Sequence, residues 1–520
     1  MTTVLHIGSA FIYSNARAKT LPRPKPACTT VATMTSHNDN STTVPRRSAN
    51  YQPSLWDHHH LLSLENQYAK DKSMRERDLL KEKVRKMFDD EKKTYLEKLE
   101  FIDDVERLGI SYHFQAEIDN ILLSSYQKDR VNVKECDLHA TALEFRLFRQ
   151  HGFNVSEDIF DVFMANSEKF ESGTDINAFI SLYEASYLST KLDSKLQKFI
   201  RPFAKQKLRD FLDNNGSSNR DFGSCNAGEM VVQALDMPYH WGMRRLATRR
   251  YINVYGKKHN KNLLLVELAK TDFNIVQAVH QEEVKYVSSW DVNRLDELPE
   301  YMRLCFLVVY NEVNSIGCDV LRKKNINVIP FLKKSWTDVC KAYLIEAMWY
   351  KRGHKPNLEE YMQNAWISIS SPTIFIHFYC VFSDQISLQV LETLSQHQQN
   401  VVRCSSSVFR LANDLATSPD ELARGDVHKS IQCYMNETGA SEEKARSHVR
   451  EMINDMWDEM NYEKMAHNTS LLSHDFMETM INLARMSLCM YQYGDGHGSP
   501  EKAKIVDRVK SLLFNPIPLD

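Results

Sequence analysis

Apolar residues recur along most of the chain at the spacing of an α-helix, with charged residues between them. Residues 61–212 follow this pattern almost throughout, and one of their stripes contains Leu79, Leu80, Val84 and Met87. Residues 441–461 show a second stripe of the same kind, formed by Val449, Ile453 and Trp457. Because alternating apolar and polar runs joined by hairpin turns do not stand out, the sequence predicts an all-α fold.

Several segments indicate where helices begin, end or break. Residues 263–290 are apolar enough for one long helix or a pair of helices, and Pro299–Glu300 is typical of a first helical turn. The run 370–372, Ser-Ser-Pro, interrupts another apolar helix, and irregular backbone of this kind inside a bundle often faces a cavity. Residues 213–228 are polar and rich in Gly and Ser, which predicts a loop.

Composition narrows the classes of protein to which the chain can belong. Its 520 residues are enough for several domains and a large core. A net charge of −3 argues against a nucleic-acid binder. The ten cysteines form no CxxC pair or Cys/His cluster, which favours a reducing compartment over a disulfide framework. No apolar run reaches the length expected of a membrane span.

The first 45 residues differ in character from the rest of the chain. They are rich in Ser and Thr, contain a few basic residues, and have Asp39 as their one acidic residue. This composition is typical of an organelle transit peptide, and the alternative is a disordered tail.

The run RLANDLATSPDELARGD has the spacing of a metal site on one helix. Asn413, Thr417 and Glu421 lie four residues apart, so their oxygen atoms share one helical stripe. Amide, hydroxyl and carboxylate oxygens suit Mg²⁺, which often completes its shell with water and substrate phosphate. Arg410 and Lys429 could reach diphosphate oxygens. An alternative is that Ser418 and Pro419 begin a new helix, which Glu421 would then cap.

Two further runs contain residues that could act on a substrate. Arg46 and Arg47 precede Trp56 in the run RRSANYQPSLWD, and Tyr491 and Asp495 lie in the Gly-rich run YQYGDGHG. Taken alone, the arginines fit a solvated basic patch and the Gly-rich run fits a surface loop.

Together these motifs resemble the plant class I terpene synthases, specifically the monoterpene branch, from Arg46 to the C-terminus. In chain order, the matching elements are RRx8W at 46–56, LYEAS at 182–186, RLANDLxTSxxE at 410–421, RGDVxKSIQCYM at 424–435, and YQYGDGHG at 491–498. The C-terminal half is most similar to linalool synthases of the mint family. The resemblance implies a plastid enzyme in which a transit peptide (1–45) precedes an N-terminal helical, barrel-like domain (46–245) and a C-terminal class I helical bundle (246–520).

The resemblance also implies a reaction and a role for each matching residue. Mg²⁺, with Mn²⁺ as a possible substitute, would help to ionise geranyl diphosphate, and linalool would be the product. Roles follow for these residues: metal binding for Asn413, Thr417 and Glu421; diphosphate binding for Arg410 and Lys429; lining of the pocket for Ser370 and Ser371; closure of the site for Arg46, Arg47, Tyr491 and Asp495. We expect a monomer or weak homodimer with no nucleic-acid partner and no membrane-spanning segment.

The chain departs from the family pattern at one point. The family carries an aspartate-rich DDxxD motif on a facing helix, but Trp290 here runs directly into Asp291, and DDxxD occurs nowhere in the sequence. The acidic pairs at 89–90 and 103–104, and the residues Asn454, Asp455 and Asp458, fit solvated charge clusters better than a replacement. We therefore expect a truncated C-terminal bundle that is open, poorly packed or aggregation-prone, with little or no activity. One alternative is a non-catalytic helical protein that binds a prenyl diphosphate weakly through one metal, and another is a plain helical scaffold.

Overall fold

The computed structural model describes most of the chain beyond residue 70. The described residues are 63, 68, 71–90, 92–127, 137–165, 175–216, 226–259, 261–288, 300–423, 425–466, 471–496 and 503–519. Within these ranges the regular elements are helices and there is no strand, which confirms the predicted all-α fold. The predicted transit peptide and the pair Arg46–Arg47 lie outside the described residues.

The N-terminal half consists of short and medium-length helices. Their bounds are α1 Asp71–Arg85, α2 Tyr95–Arg107, α3 Gln115–Gln127, α4 Leu138–Gln150, α5 Asp161–Ala165, α6 Ile176–Ser186, α7 Arg201–Gly216, α8 Asn226–Asp236 and α9 Arg244–Gly256. A π-helical turn, Leu196–Ile200, leads into α7. Side-chain caps explain several starts: Thr94 and Glu97 form a capping box, and Asp137 and Asp175 accept hydrogen bonds from the first turns of α4 and α6.

Longer helices dominate the C-terminal half. Their bounds are α10 Leu263–Ser288, α11 Glu300–Lys324, α12 Ile329–Arg352, α13 Leu358–Ser368, α14 Ser371–Phe382, α15 Leu388–Ser395, α16 Asn400–Ala423, α17 Ser430–Thr438, α18 Glu442–Met465, α19 His474–Tyr491 and α20 Ala503–Leu513. The long helix predicted at 263–290 is observed over Leu263–Ser288, and residues from Glu300 onward are helical, as predicted. Residues 289–299, which include Pro299, lie outside the described residues. The proposed domain boundary at 245/246 falls within α9 and stays a prediction.

Two details of the first half differ from the sequence-based expectations. Leu79 was expected to share a buried stripe with Leu80 and Val84, but it is 66% exposed while the other two are buried. Leu79 and Leu80 are adjacent and point about 100° apart on a helix, so one face cannot bury both. The predicted loop at 213–228 begins too early, because α7 continues to Gly216.

Helix α16 lies at the centre of the C-terminal bundle and carries the predicted metal motif. It packs on α13, α14, α18 and α19, and most of its residues from Val401 to Ala412 are buried. The apolar row predicted for α18 faces the core: Val449, Ile453 and Trp457 are all buried. A helix that is buried around most of its circumference is typical of the centre of a large bundle. The motif is therefore held in a rigid part of the molecule.

One face of the bundle, by contrast, leaves large apolar side chains in contact with water. Helix α12 buries Leu332, Val339 and Trp349, yet Leu344 is 58% exposed and Tyr350 is 51% exposed. Cys340 and Tyr343 lie on the same side of the helix and are also exposed. We call this row, Cys340, Tyr343, Leu344 and Tyr350, the open face of α12. Solvent-exposed apolar residues in a row, unlike scattered ones, are typical of a surface that another element covers.

Among the described residues, one stretch, Leu358–Phe382, reaches the length and hydropathy of a membrane span. Most of it is buried within the bundle, and the backbone at Ser370 breaks it into α13 and α14. Core helices meet the same criteria, so this stretch is weak evidence for a membrane span.

Candidate metal and diphosphate site

Helix α16 runs through Pro419 without a break and ends at Ala423. The alternative in which Ser418 and Pro419 start a new helix capped by Glu421 is therefore wrong. A proline in a helix removes one backbone hydrogen bond, to the carbonyl of Leu415. That carbonyl instead accepts a hydrogen bond of 2.8 Å from Nη1 of Arg446 on α18. Helical continuity brings Glu421 onto the stripe of Asn413 and Thr417.

Arg410 is buried one turn before Asn413 and is fixed by several acceptors. Its Nε donates to the carbonyl of Ala365 (3.1 Å), and its Nη1 donates to Oδ1 of Asn413 (3.2 Å). Its Nη2 donates to Oγ of Ser368 (3.1 Å). The side-chain oxygen predicted to bind metal is thus beside the guanidinium predicted to bind diphosphate.

The surroundings of Glu421 favour the binding of a cation to its carboxylate. Its Oε2 atom is buried without a hydrogen-bond partner among the described residues. Burial raises the pKa of Glu421, Lys429 lowers it in part, and the carboxylate of Asp414 raises it further. Leaving a buried acceptor unpaired is costly, and a divalent cation would relieve that cost. The donor set of Asn413, Thr417 and Glu421 therefore fits Mg²⁺, which prefers hard oxygen ligands.

Lys429 extends into the site from the segment between α16 and α17. There it forms an ion pair with Glu346, a residue for which the sequence predicted no role. Its Nζ lies 3.5 Å from Oε2 of Glu346 on α12. The hydroxyl of Ser368 donates to the other oxygen of Glu346 at 2.5 Å. Although burial alone would raise the pKa of Glu346, Lys429 and Arg410 lower it below its usual value. Glu346 thus balances both of the cations predicted to bind diphosphate.

Asp414 belongs to the run that predicts the metal site, but it lies off the four-residue stripe of the predicted ligands. It is fully buried, and its Oδ2 accepts hydrogen bonds from the hydroxyl of Tyr361 (2.9 Å) and the backbone N–H of Ser430 (3.2 Å). Its Oδ1 lies 3.6 Å from Nη1 of Arg410. Asn413 shares its helical stripe with Thr417 and Glu421, whereas Asp414 lies on the buried inner side of the helix.

The Gly-rich run YQYGDGHG approaches the same site from the end of α19. Burial raises the pKa of Tyr491, the Asp495 carboxylate raises it further, and a hydrogen bond with Asn413 opposes the change. Tyr491 therefore lies beside the metal motif, and Asp495 lies near Tyr491. The turn needs Gly496, because a Cβ there would meet the carbonyl oxygen of Met490 at 2.2 Å.

The predicted break between α13 and α14 is observed and borders the same region. Ser370 adopts a left-handed backbone with φ of 71°, and Ser371 begins α14 with Pro372 in its first turn. The hydroxyl of Ser371 is buried without a hydrogen-bond partner among the described residues. Ser370 hydrogen-bonds to the side chain of Tyr343, which is also close to Arg410. Through Tyr343, the break at Ser370 is therefore adjacent both to the open face of α12 and to Arg410 of the metal motif.

No second acidic cluster faces this site in the described part of the chain. Those residues contain no group of three or more His, Cys, Asp or Glu side chains that could bind a metal ion. Asp89 and Asp90 are exposed, as expected for solvated charges. The same expectation is wrong for Asp103 and Asp458. Asp103 pairs with Arg107 and Arg146, which lower its pKa to about 2 against the effect of burial.

Asp458 is buried and connects the two halves of the chain. It accepts hydrogen bonds from Ser189 (2.6 Å) and Gln197 (2.5 Å), and burial raises its pKa to about 6. Its partners come from the segment between α6 and α7, more than 200 positions earlier, which no local pattern in the sequence could indicate. Neither Asp103 nor Asp458 is a substitute for DDxxD.

Comparison with known proteins identifies relatives over nearly the whole chain. The family model of the terpene synthase N-terminal domain matches residues 55–235, and that of the terpene synthase metal-binding domain matches residues 281–459. A chloroplastic tricyclene synthase of Arabidopsis thaliana is 68% identical, with 100% of both chains covered. The chloroplastic 1,8-cineole synthase 1 of the same plant is 54% identical, with 99% of each chain covered.

Solved structures agree with these matches. A limonene synthase with 2-fluorolinalyl diphosphate aligns with a TM-score of 0.82 and 33% identity, covering 91% of this chain and 100% of that one. Isoprene synthase from grey poplar, in complex with three Mg²⁺ ions and a thiolodiphosphate, aligns with a TM-score of 0.74 and 33% identity, covering 89% and 99%.

The lengths of the alignments differ from the length of this chain. The alignment with the tricyclene synthase extends over 594 positions, whereas this chain has 520 residues, all of them aligned. The tricyclene synthase therefore contains residues that have no counterpart here.

Proposed function

Because the chain belongs to the terpene synthase family, we propose that its C-terminal bundle binds geranyl diphosphate through one Mg²⁺ ion and that this 520-residue form is impaired in turnover. Asn413, Thr417 and Glu421 would hold the ion. The observation that carries the proposal is the buried, unpaired Oε2 of Glu421 beside Lys429 and Arg410. The relatives' names place them in the chloroplast, which supports a plastid location for this chain.

The residues of the site have distinct tasks in this proposal. Arg410 and Lys429 bind the diphosphate oxygens, and their charges stabilise the negative charge that develops on the leaving group. When bound, Mg²⁺ would add Lewis-acid stabilisation to the same oxygens, and Mn²⁺ has the same ligand preferences. Tyr491 and Asp495 cover the site, with Arg46 and Arg47 helping to close it.

The apolar part of the substrate would lie near the break at Ser370 and Ser371. Exclusion of water there protects the allylic cation until the final step. Linalool is the product that we propose, formed when water captures that cation. Analysis of products distinguishes linalool from the tricyclene and cineole for which the relatives are named. We propose a monomer or weak homodimer as the active assembly.

We further propose that the residues missing relative to the tricyclene synthase lie between Trp290 and Asp291. Two observations support this position. The DDxxD motif is absent from the sequence, and the open face of α12 exposes Leu344 and Tyr350 in the C-terminal half. The missing helices would supply the other metal ligands and cover that face. A non-catalytic protein that binds prenyl diphosphate through one metal is therefore the second candidate for this 520-residue form.

A calorimetric titration with inorganic diphosphate tests the binding half of the proposal. Diphosphate should bind measurably with Mg²⁺ and much more weakly with EDTA. Glu421→Gln should weaken Mg²⁺-dependent binding by at least about tenfold, because it removes a charged metal ligand.

Glu443→Gln is the matched control, since Glu443 is exposed near the start of α18, and it should leave the affinity unchanged. Equal affinities with and without Mg²⁺ would refute the metal site. The absence of any binding would leave only a helical scaffold.

A further inference from the structure

Tyr361 lies on α13, outside every motif that the sequence revealed, and is fully buried. Its hydroxyl donates a hydrogen bond of 2.9 Å to Oδ2 of Asp414. A hydroxyl in a core is usually retained for the partner that it binds, because an apolar ring would otherwise fill the same space without the cost of burying a polar atom. The partner here is the carboxylate next to the predicted metal ligand Asn413.

The Asp414 carboxylate joins three elements at one point. Besides the Tyr361 hydroxyl of α13, its Oδ2 accepts the backbone N–H of Ser430, the first residue of α17. Its Oδ1 faces Arg410, one turn away on α16. Ser430 directly follows Lys429, so the hydrogen bond to Ser430 also fixes the backbone that carries the lysine.

The Tyr361 hydroxyl sets the direction of this carboxylate. Burial leaves Asp414 no water to replace a lost donor, and Oδ1 has no hydrogen bond of its own, although Arg410 is near. Without the hydroxyl, the carboxylate would be free to rotate toward Arg410 and release Ser430. The segment that carries Lys429 would then open more often.

We propose that Tyr361 is a positioning residue of the diphosphate site, which acts through Asp414 to place Lys429 and Arg410. The roles of those two cations in binding diphosphate rest on the proposed function. The placement of Lys429 by Tyr361 is independent of that function, because the protein without any ligand already has this arrangement.

Tyr361→Phe removes the hydroxyl alone, and acetylation by acetic anhydride followed by mass spectrometry measures the access to Lys429. The Lys429 side chain is now mostly buried against Glu346. Its rate of acetylation should rise by about tenfold in the variant, which is the factor expected when one hydrogen bond to a charged group is lost. The affinity for diphosphate with Mg²⁺ should fall by a similar factor.

Two controls distinguish a positioning role of Tyr361 from a general loss of stability in Tyr361→Phe. Tyr251→Phe removes a similar contact in the N-terminal half, where the hydroxyl of the buried Tyr251 donates a hydrogen bond of 2.6 Å to the partly buried Asp104. It should change neither the acetylation of Lys429 nor the affinity for diphosphate. Lys464, buried against Glu478, is the internal reference and should react at an unchanged rate in Tyr361→Phe.

The acetylation of Lys429 decides the proposal. An unchanged rate in Tyr361→Phe overturns it, as does a parallel rise at Lys464, which would mean that the hydroxyl only supports the fold. An unchanged affinity in a chain that binds diphosphate overturns it as well. If the wild-type chain binds no diphosphate, the proposed function fails, and the acetylation of Lys429 still shows whether Tyr361 positions the lysine.

Discussion

Turnover of geranyl diphosphate by the purified 520-residue chain should be at least about a thousandfold slower than by a chain with the missing segment restored between Trp290 and Asp291. Each metal ion that stabilises a leaving group contributes several kcal/mol, and about 1.4 kcal/mol corresponds to a tenfold change in rate. Asn413, Thr417 and Glu421 supply the ligands for one ion only. The measurement is the rate of monoterpene formation with saturating Mg²⁺, followed by gas chromatography.

The restored chain can take its segment from the tricyclene synthase, which is 68% identical and fully aligned. Within the restored chain, Glu421→Gln should abolish most of the turnover, whereas Glu443→Gln should leave the turnover unchanged. These variants ensure that the restored activity depends on the α16 motif. Similar rates for the original and restored chains would contradict the proposed impairment.

The backbone of the bundle could be predicted well from local sequence because local rules determine it. The break at Ser370 follows from a Ser-Ser-Pro run, and the residues from Glu300 onward are helical, as the Pro-Glu pair at 299–300 predicts. The direction in which a side chain points is harder to predict. Leu79 belongs to an apolar stripe by composition but faces water, because its helix buries the neighbouring Leu80 instead.

Spacing alone predicted one part of the site, whereas the roles of Tyr491 and Asp495 followed from the family resemblance. The four-residue intervals identified Asn413, Thr417 and Glu421, and the structure places them on one uninterrupted helix. Glu346 and Tyr361 come from α12 and α13 and meet the motif only through the tertiary fold. No periodicity distinguishes a buried glutamate that balances two cations from one that faces solvent.

The open face of α12 provides the second large prediction, which concerns stability. Leu344→Ala should change the free energy of unfolding of the 520-residue chain by less than about 0.5 kcal/mol, because Leu344 is 58% exposed. The same substitution in the restored chain should cost about 2–5 kcal/mol, because the added helices would bury the side chain and its truncation would leave a cavity. Urea denaturation followed by circular dichroism measures both values.

Leu332→Ala is the matched control on the same helix. Leu332 is fully buried, so its truncation should cost about 2–5 kcal/mol in both chains. A large loss for Leu344→Ala in the 520-residue chain would mean that the open face is already covered, for example by a second copy. A small loss in the restored chain would mean that the added helices pack elsewhere. Either result would contradict the proposed position of the missing segment without bearing on the loss of DDxxD. The free energy of unfolding shows whether the open face is covered, whereas the rate of turnover shows whether the metal ligands are complete. The paired substitutions therefore test whether one missing segment accounts for both the exposed apolar row and the incomplete metal site.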